Sequence, residues 1–240
     1  MITADRLAFF KFMVKEVAQA HGFRATFMPK PFAHLTGNGC HAHISYWSKD
    51  RKTNHFADDA DEMGLSQACY HFVGGLMRHA PGMAALTNPT VNSYKRINAP
   101  VTNSGATWSP NSITYGGNNR THMIRIPDPG RIELRLADGS ANPYLLMAGI
   151  LAAGRLGMAE GLDPGKRMDF DAYAEPKKVA RAGKLPLNLL DALRAFGADK
   201  KLRGAMGEEF AQAYIKLKSE DWNAYAQHLT EWERDHTLDC

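Results

Sequence analysis

Six residues, RIELRL at 131–136, alternate charge with aliphatic bulk. Read as a strand, they send Arg131, Glu133 and Arg135 to one face and Ile132, Leu134 and Leu136 to the other, so that three charges stand on a platform anchored by three apolar side chains. Arg120 and Arg125 lie a few residues upstream. Guanidinium groups gathered around one carboxylate suit an anionic ligand that needs planar, multidentate donors; a solvated sheet face with ordinary salt bridges has the same alternation. A second stretch, CHAHISYW at 40–47, places His41, His43 and Ser45 on one strand face. With Glu133, His41 can supply a nitrogen and an oxygen to a divalent metal associated with phosphate. Each histidine taken alone reads more plainly as a satisfied surface or core imidazole.

Other candidates sit in turns. TGNG at 36–39 does not match the Walker pattern and is a weak phosphate-loop signal. Tyr94-Lys95-Arg96 ends a polar stretch, either offering a guanidinium to a carboxylate ligand or forming a solvated turn. Asn118-Asn119-Arg120 follows a glycine pair, which is compatible with close approach of backbone to ligand. Trp108 and Tyr115 flank that region and either stack on a ring or roof the loop.

The elements that must position these residues follow from periodicity. Asp5 is placed to cap a helix in which Leu7, Phe10, Val14 and Val17 recur at helical spacing before Gly22. Residues 24–28 and 40–47 read as strands separated by a Gly- and Pro-punctuated loop. Residues 66–79 carry a helical apolar stripe. A long Asn-, Gly-, Pro- and Ser-rich loop then leads to strands at 120–126 and 131–136, joined by PDPG, which has hairpin-turn chemistry. Asn142-Pro143 opens a helix rich in small residues that permit close approach to a neighbour. Residues 163–186 read as a mobile or surface connector, and 187–196 and 200–232 as helices. On the last of these Phe210, Tyr214, Leu217, Tyr225, Leu229 and Trp232 form a stripe for packing or, alternatively, for an oligomer surface. The sum is an α+β core with a helical C-terminal portion.

Composition narrows the class. At 240 residues and 44% hydrophobic the chain can bury one sizeable core, which excludes a disordered segment. The formal charge of +4 arises without a basic stripe, so no nucleic-acid partner is expected. Three cysteines in no paired spacing point to a reducing compartment. No apolar run approaches the roughly 20 residues that cross a membrane. A cytoplasmic protein with no membrane partner is the expectation.

Five stretches in order carry a resemblance: ATFMPKP at 25–31, GNGCHAHIS at 37–45, NPTVNSYKR at 88–96, NNRTHMIRIP at 119–127 and RIELRLADGSANPYL at 131–145. Together they resemble the C-terminal catalytic part of the glutamine synthetase family. The resemblance implies a curved antiparallel sheet flanked by helices, with residues 1–165 as a partial catalytic core and 166–240 as connector and C-terminal helices of the same domain. It implies ATP-dependent ligation of ammonia or a small amine to the γ-carboxylate of glutamate through γ-glutamyl phosphate, with Mg2+ or Mn2+, in a homo-oligomer. Carried over by motif, His41 and Glu133 bind the metal nearer the transferred phosphoryl group, and His43 and Ser45 lie by the nucleotide. Gly37 and Arg96 seat glutamate. Arg120 and Arg131 fall on the nucleotide side, and Arg125 and Arg135 on the phosphate region and the γ-phosphoryl group.

The departures are also informative. YKR runs directly into INAPVTNSGATWSP without the glutamate-bearing turn usual in the family, a shortening that resembles the divergent branch containing γ-glutamylmethylamide synthetase-like enzymes. The residue before the glycine loop is Thr36 where the family has asparagine. The family's N-terminal domain and the carboxylates of its other metal have no counterpart here, so full turnover by this chain alone is not expected. A non-catalytic relative that binds nucleotide or partners is the alternative.

Overall fold

A computed structural model describes residues 1–99 and 109–240; the Trp108 expectation lies outside them. A four-stranded sheet in the order β1-β4-β3-β2 shares one hydrophobic core with the helices. Strand β1 (Ala42–Ile44) and strand β3 (Ile124–Asp128) both run antiparallel to β4 (Arg131–Leu134), whereas the two-residue β2 (Tyr115–Gly116) joins β3 in parallel. The expected antiparallel sheet is thus antiparallel over three strands, with a parallel edge. The PDPG turn closes the β3–β4 hairpin, with Gly130 at φ +64°, where a side chain would strain the backbone.

Helix α1 (Ile2–Ala20) starts upstream of Asp5, whose carboxylate accepts a hydrogen bond from Tyr144 instead of capping. The buried α2 (Gln67–Thr87) begins where Ser66 accepts from the Cys69 amide, and runs beyond residue 79 through Pro81. Packing overrides the missing proline amide there. α4 (Pro143–Glu160) opens as expected, with the Asn142 side chain accepting from two first-turn amides. Its small residues do permit close approach: a Cβ on Gly75 of α2 would lie 2.2 Å from the Ala153 carbonyl and 2.8 Å from Gly157 Cα.

Three expectations are corrected. Residues 24–28 form no strand; they belong to no regular element, Phe27 packs edge-on to Phe10, and none of the described strands pairs with them. The segment through Tyr94-Lys95-Arg96 is not loop but helix α3 (Val91–Ile97), started by a reciprocal capping box between Thr90 and Ser93. The span 200–232 is broken at Gly207 and Thr230. With α5 (Leu189–Ala198), the C-terminal elements are α6 (Lys200–Met206), α7 (Glu208–Ala226) and α8 (Glu231–Thr237). Of the aromatic stripe Tyr214 is buried and Phe210 half-buried, while Leu217, Leu229 and Trp232 are exposed, so packing accounts only for its first turn.

The connector at 163–186 contains no helix or strand element but is pinned. The Met168 amide donates to the Tyr115 carbonyl, the Phe170 carbonyl bonds His122, and the Tyr173 hydroxyl donates to the Ser109 carbonyl at 2.6 Å.

Candidate functional site: a cationic cleft over the sheet

The sheet register assembles the site. His43 and Arg125 stand opposite Glu133 from either side, so one row crosses β1, β4 and β3. The aliphatic face beneath, with Ile132 and Leu134 fully buried, anchors it. Glu133 and Arg135 are each 3% exposed, so the charged face is not a solvated one, although Arg131 at the hairpin is exposed and paired with Asp128.

Glu133 is the hub. Its Oε2 accepts from Arg125 Nη1 at 2.7 Å, and its Oε1 accepts from Arg135 Nη1 at 3.0 Å and lies 2.9 Å from His41 Nδ1. Burial pushes this carboxyl up, but the Arg125 bond and the Arg135 and His41 charges prevail and hold it below the usual carboxylate range. Burial, with the Arg135 guanidinium, pulls His41 down to about 4, against the pull of Glu133. A neutral imidazole beside an ionised carboxylate is the donor pair a hard or borderline divalent cation accepts.

Each guanidinium is oriented by fixed acceptors. Arg125 donates from Nε to Asn118 at 2.7 Å, and Arg135 donates from Nε to the Arg120 carbonyl at 3.1 Å. Arg96, only 4% exposed at the end of α3, donates to the carbonyls of Leu136 and Arg135. Burial presses Arg96 and Arg135 down from their ordinary values, with Asp138 and Glu133 respectively opposing it. Gly39 is necessary to this arrangement: a Cβ there would sit 2.8 Å from Arg96 Nη2 and 3.0 Å from His41 Nε2.

These groups line a cleft of about 490 Å³ together with Lys30, Thr36, Gly37, Gly39, Ala99 and Ser109. Five cations, Lys30, Arg96, Arg120, Arg125 and Arg135, face one carboxylate, which suits a ligand with several negative charges. Of the sequence candidates the cleft gathers Gly37, His41, Arg96, Arg120, Arg125, Glu133 and Arg135. His43, Ser45 and Arg131 lie outside it: His43 Nε2 is 3.9 Å from Glu133, Ser45 accepts from the Trp47 indole, and Arg131 is at the hairpin. Tyr115 neither stacks nor roofs the cleft, since its hydroxyl donates to the Gly165 carbonyl.

Sequence reasoning missed Lys30, Ser109 and Tyr173. Lys30 is buried, its ammonium donating to the Leu35 carbonyl, and the Ser109 hydroxyl is buried with no hydrogen-bond partner among the described residues. The proline-flanked MPKP stretch was the one available signal for Lys30; nothing local marked the other two.

The family profile described as glutamine synthetase, catalytic domain, matches residues 1–237. A glutamine synthetase of Rhizobium leguminosarum bv. phaseoli is 64% identical over 99% of this chain and 54% of its own length. A glutamate–methylamine ligase of Methyloversatilis universalis is 42% identical over 100% of this chain and 54% of its own. A solved GmaS–ADP complex superposes with a TM-score of 0.93 at 63% identity, covering 100% of this chain and 55% of that one. The chain therefore spans about half the length of the relatives it matches.

Proposed function

This chain belongs to the glutamine synthetase family, matching its catalytic domain, and we propose that its cleft is the phosphoryl-transfer half of an ATP-dependent ligase joining ammonia or a small amine to the γ-carboxylate of glutamate. The observation that carries the reading is the pairing of buried Glu133 with buried Arg135 and half-buried Arg125 inside a five-cation cleft. Arg135 and Arg125 neutralise charge on phosphoryl oxygens at fixed positions, so that little reorganisation accompanies transfer. Arg96, with Gly37 allowing close backbone approach, holds the glutamate carboxylate at attack distance. Arg120, and beyond the cleft His43, Ser45 and Arg131, belong to the nucleotide side.

His41 and Glu133, a neutral imidazole and an ionised carboxylate, would hold a Mg2+ or Mn2+ ion, which when bound would supply further neutralisation of phosphate charge. A short segment after Arg96 and the glutamate–methylamine ligase relative support methylamine as an alternative to ammonia. A homo-oligomer, in which a second copy completes the site, is part of the same reading.

A second reading, nucleotide binding without turnover, is favoured by one observation: the described residues contain no group of three or more metal-binding side chains. Phosphate release from ATP with Mg2+ and glutamate, with ammonia or methylamine, separates the two. Amine-dependent release supports the ligase; binding of ADP with no release under any amine supports the second reading.

A further inference from the structure

Lys30 lines a second cavity as well as the cationic cleft. This one, of about 490 Å³, lies between α3, the approach to α5 and the α7 aromatics, and is walled by Val91, Tyr94, Lys95, Leu187, Trp222 and Tyr225. No carboxylate lines it. Its asparagines are spent on the scaffold: Asn92 exchanges two hydrogen bonds with the Lys30 backbone at 2.7 and 3.0 Å, and Asn98 donates to the Tyr94 and Leu187 carbonyls. The polar groups left over are donors, namely the Lys95 ammonium, the Trp222 indole N–H and the Tyr225 hydroxyl, none of which bonds a described residue. Beside them the Trp222 and Tyr225 rings stand 5.7 Å apart at 49°.

An apolar cavity with aromatic walls and uncommitted donors takes a flat apolar body carrying a negative group. We infer that this cavity is a binding site for a small planar aromatic carboxylate, its ring against Trp222 and Tyr225 and its carboxylate at Lys95. The site is separate from the arginine cluster and requires no turnover, so it stands or falls independently of the ligase reading.

Calorimetric titration with indole-3-carboxylate tests it. Saturable one-to-one binding is expected, weakened about tenfold or more by Lys95→Glu and by Trp222→Ala, since a charge-assisted contact and an aromatic wall are each worth about that factor. Free indole, which has the ring without the carboxylate, should bind at least about tenfold more weakly. Saturating pyrophosphate, a probe for the arginine cleft, should leave the titration unchanged. Both substitutions are at exposed or half-buried positions, and matched thermal melts verify the fold. Absence of saturable heat would overturn the inference. So would full affinity in both variants, equal affinity for indole, or displacement by pyrophosphate.

Discussion

At the scale of single residues, Glu133 decides how the cleft behaves. It compensates one buried guanidinium, Arg135, and one half-buried, Arg125, while keeping His41 close, so its removal would leave Arg135 buried without its carboxylate partner. If Arg135 acts on the transferring phosphoryl group, Arg135→Ala should lower turnover of the complete enzyme by about 10²–10³ while changing nucleotide affinity much less. Steady-state kinetics beside equilibrium binding measure that split, and equal losses would place Arg135 in ground-state binding. His41 adds a pH dependence. Its imidazole titrates near 6.5 unfolded and near 4 folded, so between those values the unfolded chain binds more protons. Stability should therefore fall as the pH drops from about 6.5 towards 4, and His41→Asn should flatten that part of a denaturation-versus-pH profile. Glu133, held below its ordinary value, adds loss in the same direction at the acid end. The alternating charges of RIELRL were legible in sequence because a strand's period of two assigns faces without tertiary information. Ser109 and Tyr173 were not, since they reach the site from irregular segments brought together only by the fold.

At the scale of elements, helix ends and close approaches carry the positioning. The Thr90–Ser93 capping box starts α3, the helix that delivers Arg96, so Thr90→Ala should cost about 1 kcal/mol in chemical denaturation. If Arg96 seats glutamate as proposed, that change should also weaken glutamate binding. The α2–α4 crossing is tighter still, and Gly75→Ala should destabilise by about 3 kcal/mol, because the added Cβ meets backbone on α4 that cannot move alone. A melting curve unchanged by Gly75→Ala would refute the close crossing. The capping box was present in the sequence as Thr90-x-x-Ser93, but the surrounding polar residues masked a short helix whose apolar face is Val91, Tyr94 and Ile97. The long α2 was legible up to residue 79 and misread beyond, because a buried helix tolerates Pro81 where an isolated one would end.

At the scale of the whole molecule, helix α1 leaves several large apolar side chains uncovered. Phe9, Phe12 and Val17 of α1 are 64%, 60% and 53% exposed, although the helix is tied down by Asp5 to Tyr144 and by Lys11 to the Gly139 carbonyl. Of the residues recurring at helical spacing, Leu7 and Val14 are partly covered and Phe10 and Val17 are open. β1 is also an edge of the sheet. An exposed apolar helix face and a strand at the sheet edge each favour pairing with other chains, so light scattering of this chain should show species larger than a monomer, growing with concentration. A monodisperse monomer would contradict it. Helical periodicity foretold α1 but not which of its faces the rest of the chain would cover, which depends on neighbours that periodicity does not encode.

The most direct test of the cleft as a phosphate-binding site is a calorimetric titration with ADP and Mg2+, comparing the chain with Arg120→Ala. Saturable binding is expected, weakened about tenfold or more when the Arg120 guanidinium is removed, as loss of a charge-assisted contact to phosphate requires. Absence of saturable binding by folded protein, or binding indifferent to Arg120→Ala, would contradict it.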